Sequence, residues 1–270
     1  MIPIGVAKTE CQGLKNADLV NEPHAINFKP IVLPGNYPMP AASTIPELAN
    51  FDLTNLPNQK RQLNSQQLMV ANALKHNVNR TIIVWGPPGT GKTYTIAQIG
   101  AQLALKRDGD RRFKVLMVAH SNSCCDVLIK KVLSIIHDEK QEASVVRFVA
   151  SSRNAAHRLV STVHSESSLL DSTLSEFNLE NIRMRIARSR NDEDAIKFIN
   201  LHDELTNDGW LTEVDQKAYN HFSENYDKAI IRDSDIVVCT TSLASNQLLI
   251  SHGKFAAVSN STSRNLFEIN

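Results

Sequence analysis

Blocks of apolar residues alternate with amphipathic stretches along most of the chain, beginning near Leu63. Apolar residues recur at helical spacing at Leu68, Ala71 and Leu74, which predicts a helix. The β-branched run TIIVW (81–85) follows and is typical of a buried parallel strand. A buried strand that follows an amphipathic helix indicates an α/β arrangement.

The same alternation continues downstream of a glycine-rich break. Further strands are predicted from short apolar runs at residues 113–119, 144–150, 235–240 and 255–258. Helices are marked by apolar residues at helical spacing, namely Ile96, Ile99 and Leu103 in one and Val127, Leu128, Val132, Ile135 and Ile136 in another. Strands that alternate with helices predict right-handed βαβ units and a parallel sheet flanked by helices.

Three segments depart from this alternation. Eight of the ten prolines precede residue 60, and proline disfavours helix at the residue before it, so residues 1–58 are expected to be irregular. Residues 152–232 are polar, charged and compatible with helix, which predicts a helical insertion within a domain spanning 59–258. The last predicted strand runs into SNSTS, a composition typical of loops, so we expect a flexible tail over 259–270.

Composition and charge set broad limits on the class of protein. The 270 residues carry a formal net charge of +1, with 42% hydrophobic and 21% charged residues, which is ordinary for a globular protein. Four cysteines without a CxxC pair, and without histidines at zinc-ligand spacing, indicate reduced thiols inside a cell. Neither a basic leader with an apolar core nor a run of about 18 apolar residues occurs, so we expect no signal peptide and no membrane association.

The break after the first strand, GPPGTGKT (86–93), satisfies the GxxxxGK[ST] pattern of a phosphate-binding loop between a strand and a helix. Its glycines let the backbone curve around phosphate oxygens and turn N–H groups inward. Lys92 is placed to reach the β- and γ-phosphates, and the Thr93 hydroxyl to ligate magnesium. The predicted nucleotide-binding residues are Gly86, Pro87, Pro88, Gly89, Thr90, Gly91, Lys92 and Thr93. The loop therefore predicts binding of a nucleoside triphosphate, ATP with Mg2+.

A pair of glutamines lies upstream of the loop, in the sequence LNSQQ (63–67). A glutamine amide is both a donor and an acceptor and could pair with the edge of adenine. A glutamine at this spacing could equally lie on the solvated face of a helix. The spacing leaves both interpretations open.

A second polar segment follows the strand at 113–119, where VLMVAHSNSCCD (115–126) passes from apolar residues into small polar ones. The carboxyl ends of parallel strands meet at the edge of the sheet where ligands bind. Ser121 and Asn122 could donate hydrogen bonds to a nucleic-acid backbone. They could also cap the helix that follows, which requires the same residue types, and the two roles are compatible.

Together these segments resemble superfamily one helicases of the Upf-like branch. LNSQQ is similar to the Q motif of that family, which maps Gln67 rather than Gln66 to the adenine contact. WGPPGTGKT (85–93) resembles motif I, and the segment 115–126 resembles motif Ia. DSDIVVCTTS (233–242) is similar to motif Ic.

The resemblance spans about residues 60–258 and implies the first RecA-like domain of an ATP-dependent helicase. Such a domain has a P-loop NTPase fold, and hydrolysis in the complete helicase drives movement on a single strand. By resemblance Lys92 and Thr93 take the catalytic positions, with Thr93 as a magnesium ligand. The bound strand, RNA rather than DNA, would cross the carboxyl edge of the sheet in an intracellular, cytoplasmic rather than nuclear, setting. The residues that would touch it are Ser121, Asn122, Thr240 and Ser242.

Two features depart from the family pattern. His120 stands where proline is usual. The family segment KFxxVxxDEA carries the Walker B Asp and Glu, whereas GKFAAV (253–258) is followed here by Ser259 and no Asp-Glu pair. We therefore expect a chain truncated before this motif and lacking the second RecA-like domain, one that binds ATP with an incomplete catalytic apparatus.

Two other functions are compatible with the loop. An AAA-type ATPase that remodels proteins would contain an apolar strand ending in Asp-Glu and a small helical lid, neither of which we identify. A module that binds a nucleotide without turnover agrees with the missing Walker B pair. A comparison of ATP binding with strand-stimulated hydrolysis separates these functions.

Two charged segments resemble functional motifs superficially. LSIIHDE (133–139) has the composition of a Walker B strand, but its apolar residues fit the buried face of the helix after motif Ia. Arginines at positions 183, 185, 188 and 190 could follow a nucleic-acid backbone. Because the acidic residues 192–194 come directly after them, an ion-paired, solvated helix is favoured.

Overall fold

The computed structural model describes residues 62–76, 81–84, 87, 89–105, 107–108, 111–149, 172–255, 257–261 and 265–269. The segment 1–58, residues 152–171 of the expected insertion, and the loop residues Gly86 and Pro88 lie outside these ranges. The helices are α1 Ser65–His76, α2 Lys92–Leu105, α3 Asn122–Asp138, α4 Leu179–Arg190, α5 Glu193–Asp208, α6 Glu213–Asp233, α7 Thr241–Ala244 and α8 Gln247–His252, with a 3-10 helix at Ser172–Phe177.

The strands form a six-stranded sheet and a separate two-stranded one. Their bounds are β1 Thr81–Val84, β2 Arg107–Asp108, β3 Arg111–Arg112, β4 Val115–Ala119, β5 Val145–Arg147, β6 Ile236–Thr240, β7 Ala257–Ser261 and β8 Asn265–Ile269. The large sheet has the order β1-β8-β7-β4-β6-β5, whereas β2 pairs with β3. Strands β5, β6, β4 and β7 pair in parallel, and β8 lies antiparallel between β7 and β1. The predicted α/β class with a parallel core is confirmed.

Strand β4 lies inside the sheet and is buried on both faces. Val115 and Met117 pack into the core formed with α2 and α3. Leu116 and Val118 pack into a second core with helices α4 to α6. Each of these side chains is at most 5% exposed, and burial on both faces explains why the strand reads as an uninterrupted apolar run.

Helix α3 occupies the segment in which an Asp-Glu sequence imitates a Walker B strand. Leu128 and Val132 are fully buried on its inner face, and Glu139 is its C-cap. The interpretation of 133–139 as the end of a helix is therefore confirmed. The prediction for Val127 is wrong, because its side chain is 49% exposed. Val127 precedes Leu128 by one residue, which turns its side chain about 100° around the helix axis, away from the buried stripe through Leu128 and Val132.

Helices α4, α5 and α6 lie in the segment where the sequence predicted a helical insertion, and aromatic packing joins α5 to α6. The ring of Phe198 lies 5.4 Å from that of Tyr219 and 5.0 Å from that of Tyr226, measured between centroids. Asp192 caps α5, since its Oδ1 accepts the Ala195 N–H at 2.8 Å. Among the described residues, no helix combines the length and apolar character needed to cross a membrane.

Two arginines of α4 form ion pairs with carboxylates nearby. Arg190 Nη2 lies 2.7 Å from Asp192 Oδ2, and Arg183 Nε lies 2.7 Å from Asp227 Oδ1 on α6. The favoured interpretation of an ion-paired, solvated helix is therefore confirmed for Arg190, whereas Arg183 is ion-paired but not solvated, since its side chain is 12% exposed.

Lys114 joins the end of the insertion to the start of β4. Its Nζ donates to the carbonyl oxygens of Ile231 and Arg232, at 2.7 and 2.8 Å, in the last turn of α6. The ammonium also lies 5.7 Å from the centre of the Phe255 ring. Burial lowers the pKa of Lys114, although nearby carboxylates oppose this change. The contact satisfies two carbonyl oxygens of the last helical turn, which would otherwise lack a hydrogen-bond donor.

The carboxyl-terminal strands differ from the sequence prediction. We expected the last strand to end at Val258 and residues 259–270 to form a flexible tail, but β7 continues to Ser261 and β8 pairs with both β7 and β1. The composition of this segment is typical of a loop and therefore predicts no strand. The strand forms nevertheless, because its hydrogen bonds to β4 are made by backbone N–H and C=O groups, which each of these residues supplies. Burial of Ser259, which is 0% exposed, shows that the polar run enters the sheet.

Asp227 is a buried carboxylate whose ionisation should affect stability. Its contact with Arg183 is short, but its angle does not suit a hydrogen bond. Burial raises the pKa of Asp227 from 3.8 to about 6, and the positive charge of Arg183 offsets this only in part. Since the folded-state pKa exceeds the unfolded one, this group stabilises the fold fully below about pH 4 and ceases to do so as the pH rises through about 6.

We expect Asp227→Asn to remove this pH dependence, because an amide does not ionise. Between about pH 4 and pH 7, the free energy of unfolding of the wild type should fall relative to the variant by up to about 3 kcal/mol. Urea unfolding of both proteins across this range measures the difference. The matched control is Asp203→Asn, which removes an exposed carboxylate from α5. Parallel pH profiles for Asp227→Asn and the wild type would contradict the assignment.

Candidate functional site

The carboxyl ends of several strands lie at one edge of the large sheet. In the pairing of β4 with its neighbours, Ala119 is opposite Thr240 of β6 and opposite Ser261 of β7. Strand β1 runs in the same direction, because both β1 and β7 are antiparallel to β8. The segments that follow these strands therefore emerge at a common edge, where ligands of open α/β sheets bind.

The loop between β1 and α2 curves through two glycines in the left-handed region. Gly89 has φ +80° and Gly91 has φ +84°, values that side chains with a Cβ rarely adopt. A Cβ on Gly91 would lie 2.7 Å from Gln67 Nε2, so the end of the Gln67 side chain would have to move away. The predicted strand and helix on either side of the loop are both present.

Lys92 is the first residue of α2, and its ammonium turns back over the loop. Nζ donates to Pro87 O at 2.8 Å, and Thr90 Oγ1 donates to the same carbonyl at 2.9 Å. A phosphate offers a charged acceptor that competes well with a carbonyl for an ammonium. The first turn of a helix adds N–H groups outside the helical ladder and the positive end of the dipole. The described part of the loop therefore fits an anion such as a triphosphate.

The structure distinguishes the two glutamines upstream of the loop. Gln67 N–H donates to Asn64 Oδ1 at 2.9 Å and Asn64 N–H donates to Gln67 Oε1 at 3.0 Å, which is a reciprocal capping box at the start of α1. Gln67 Nε2 also donates to Thr90 O at 3.3 Å, so its amide lies against the phosphate loop. Gln66 is exposed and fits the solvated helix face. Gln67 is thus the glutamine next to the loop, and its contact with adenine stays a prediction.

Ser121 and Asn122 lie directly beyond β4, at the start of α3. Ser121 is the N-cap of that helix, and its Oγ accepts the Cys124 N–H at 3.2 Å. The capping role that the sequence allowed is therefore confirmed for Ser121, whereas Asn122 is the first residue of the helix. His120 is exposed at the same edge, and its Nε2 lies 3.6 Å from Cys124 Sγ. The geometry leaves contact of Ser121 and Asn122 with nucleic acid as a prediction.

Thr240 is the last residue of β6 and Ser242 follows it, on the other side of β4 from β7. Thr240 is 8% exposed and its Oγ1 lies 3.1 Å from Ser242 Oγ. Thr241 was not singled out from the sequence, but its Oγ1 donates to Ala119 O at 3.2 Å and ties the ends of β6 and β4 together. Ser242 is half-buried, so of the two predicted residues it offers more accessible surface.

Two buried cysteines, one in α3 and one in β6, hold the helix against the strand. Cys125 Sγ donates to Cys239 O at 3.1 Å, and both side chains are 0% exposed. Burial raises the pKa of Cys125 to about 11 and also raises that of Cys239. Both groups are therefore protonated at neutral pH and act in packing rather than as nucleophiles.

The end of β7 is where the family places its magnesium-binding carboxylate. Counting KFxxVxxDEA from Lys254 puts Ser261 at the position of the aspartate. Ser261 is the last residue of β7 and reaches the same level as Ala119. The backbone thus arrives at the expected place, but a neutral serine does not supply the charge of a carboxylate to a divalent cation. The phosphate half of the site fits the predicted ligand, and the magnesium half departs from the family.

Arg147 is a residue near this edge that the sequence analysis did not single out. It is the last residue of β5, is 0% exposed, and contacts the first turn of α3. The signal was an arginine within the apolar run SVVRFVA (144–150). A charged residue in such a run must be paired if the strand is buried.

Comparison with known proteins gives a consistent family. A family model described as an AAA domain matches residues 62–258. The regulator of nonsense transcripts 1 homolog of Drosophila melanogaster is 30% identical over 196 residues, which are 72% of this chain and 14% of that protein. The ATP-dependent helicase NAM7 of Saccharomyces cerevisiae is 29% identical over 204 residues, 75% of this chain and 16% of that protein. The ATP-dependent helicase upf1 of Schizosaccharomyces pombe is 26% identical over 213 residues, 78% of this chain and 19% of that protein.

These alignments cover between 14% and 19% of each relative, so the chain corresponds to a small part of their length. The family match contains the phosphate loop, Gln67, the start of α3 and the end of β6. It extends over well more than half of the chain, and the resemblance drawn from the sequence motifs points to the same relatives. The chain therefore belongs to the AAA domain family, as a member of the Upf-like helicases.

Proposed function

We propose that this chain is the ATP-binding domain of an ATP-dependent helicase and that its carboxyl edge binds a single strand of nucleic acid. The observation that carries the proposal is the position of Gln67 against a loop in which Gly89 and Gly91 have positive φ and Lys92 begins a helix. These features supply a phosphate cradle and an amide for the base in one place.

ATP would lie with its phosphates in the loop 86–93, and Lys92 would pair with the β- and γ-phosphates. Thr93, the second residue of α2, would be the Mg2+ ligand that the loop supplies. Bound Mg2+ would neutralise phosphate charge and orient the terminal phosphate. The amide oxygen of Gln67 accepts from Asn64 and the amide nitrogen donates to Thr90. The second lone pair of that oxygen and the second N–H of that nitrogen would pair with the edge of adenine.

The carboxyl edge would hold the phosphodiester backbone through Ser121, Asn122, Thr240 and Ser242. Small polar groups and backbone amides position a strand without reading its sequence. One relative is named as a regulator of nonsense transcripts, and transcripts are RNA, which supports RNA rather than DNA as the strand. The setting that we propose is intracellular and cytoplasmic. In a full-length protein, ATP hydrolysis would drive movement along that strand.

Binding and hydrolysis should be separable in this chain, because Ser261 lacks the carboxylate that its relatives use for magnesium. Nucleotide would bind with most of its affinity supplied by the phosphate loop. Hydrolysis would be slow even with a single strand present, since no aspartate at the end of β7 holds the metal.

We expect Lys92→Ala to weaken binding of ATP·Mg2+ by about 10- to 100-fold, because it removes a charge-assisted contact with phosphate. Titration with a fluorescent ATP analogue measures the dissociation constant. Lys217→Ala, which removes an exposed lysine from α6, is the matched control and should bind as the wild type does. Equal affinity of Lys92→Ala and the wild type would contradict the proposed site, and brisk strand-stimulated turnover by the wild type would contradict the proposed separation of binding from hydrolysis.

We also expect Gln67→Ala to lower the preference for ATP over GTP by about tenfold, the effect of losing one or two hydrogen bonds to the base. The ratio of the two dissociation constants is the measurement, because loss of the capping box changes stability without distinguishing the bases. Gln66→Ala is the matched control, since Gln66 is exposed on the same helix. If both nucleotides weaken equally in Gln67→Ala, this residue does not read adenine.

A further inference from the structure

Arg147 brings a positive charge into the interior beside the candidate nucleic-acid edge. Its side chain is 0% exposed and it is among the largest fully buried side chains of the described residues. A guanidinium has five N–H donors and no acceptor, so each of its contacts must be to an acceptor. Burial of such a group is costly unless its donors and its charge are met by the surrounding structure.

The partners of Arg147 lie mainly in the first turns of α3. Nε lies 3.1 Å from Asp126 Oδ1, and Nη2 lies 2.9 Å from Asn122 Oδ1 and 3.3 Å from Asn122 O. Nη1 donates more weakly to Phe148 O at 3.4 Å. The guanidinium therefore connects the end of β5 to both the backbone and the side chain of Asn122, and Asp126 balances its charge.

These contacts determine the orientation of the Asn122 amide. Because Arg147 can only donate, the atom of Asn122 that faces it must be the oxygen, and the opposite rotamer would place two donors against each other. The amide nitrogen is then turned away from Arg147. A side-chain NH2 group is the chemistry that suits a phosphate oxygen, whereas an amide oxygen turned outward would repel it.

The backbone around Asn122 is also held by contacts that do not involve Arg147. Ser121 caps α3, and Cys125 is bonded to the end of β6. These contacts fix where the first turn of α3 lies. They do not fix which end of the Asn122 amide points outward, so that choice falls to Arg147.

We propose that Arg147 is a positioning residue for nucleic-acid binding, which holds the Asn122 amide with its donor nitrogen available to the phosphodiester backbone. Arg147 itself is buried and does not touch the strand. The inference rests on the proposed function of the carboxyl edge, since it assigns to Asn122 the contact that Arg147 prepares.

The test is a double-mutant cycle on the full 270-residue chain. Binding of a fluorescein-labelled oligouridylate is measured by anisotropy for the wild type, Arg147→Lys, Asn122→Ala and the double variant. Lysine keeps the charge beside Asp126 but lacks the fork that reaches Asp126 and Asn122 together. Each single variant should weaken binding by about tenfold, and the double variant should be no weaker than Asn122→Ala.

Arg183→Lys is the matched control, because Arg183 is also a largely buried arginine in an ion pair, with a side chain that is 12% exposed, but it lies in the insertion. It should bind the oligouridylate as the wild type does. Asn122→Asp gives a second readout, since it keeps an oxygen for Arg147 but replaces the NH2 donor with negative charge. It should unfold at the same urea concentration as the wild type or higher, yet bind at least tenfold more weakly.

Additive losses in the cycle would overturn the inference, because they would show that Arg147 acts independently of Asn122. Loss of binding in Asn122→Ala without any loss in Arg147→Lys would overturn it while leaving the proposed function in place. Failure of the wild type to bind the oligouridylate would overturn the proposed function itself. If Arg147→Lys does not fold, the pair Asp126→Asn and Arg147→Gln removes both charges together, and the cycle with Asn122→Ala is judged by the same criterion.

Discussion

The parallel pairing of β4 with β6 on one side and β7 on the other is the constraint on which the site depends. Val115–Ala119 is matched residue by residue with Ile236–Thr240 and with the strand Ala257–Ser261. Because the three strands end at the same level, the segments after them form one edge. A shift of one residue in either pairing would turn every side chain to the opposite face, and burial on both faces of β4 makes such a shift costly.

Polar side chains fix the loops at this edge and divide it into two parts. On one side, Cys239 and Arg147 hold the start of α3 through Cys125 and Asn122, and Thr241 ties the end of β6 to Ala119 of β4. On the other side, the phosphate loop is held by its own contacts to Pro87 and by Gln67. The first part has the chemistry of a backbone-binding surface, and the second has that of a nucleotide site.

The sequence predicted the parts of the fold in which local chemistry and the periodic pattern agree. Three such parts are the strand–loop–helix around residues 86–93, the helix whose end resembles a Walker B strand, and the cap at Ser121. In each of them the residue types at given positions favour one local structure over the others. The course of β7 did not follow, because its pairing with β4 depends on backbone groups and its serines carry a loop signal. Arg147 was missed because a single polar residue in an apolar run does not reveal its partners, which lie 21 and 25 residues away.

Ligand-induced protection from hydrogen exchange tests the central claim, that nucleotide binds between the phosphate loop and Gln67. With ATP·Mg2+ bound, amide exchange should slow in peptides that cover residues 62–68 and 86–95, because both segments would contact the ligand and open less often. Peptides from α5 and α6 should exchange at the same rate with and without nucleotide. Protection confined to those insertion helices, or an unchanged rate in both nucleotide segments at saturating ATP, would contradict the account.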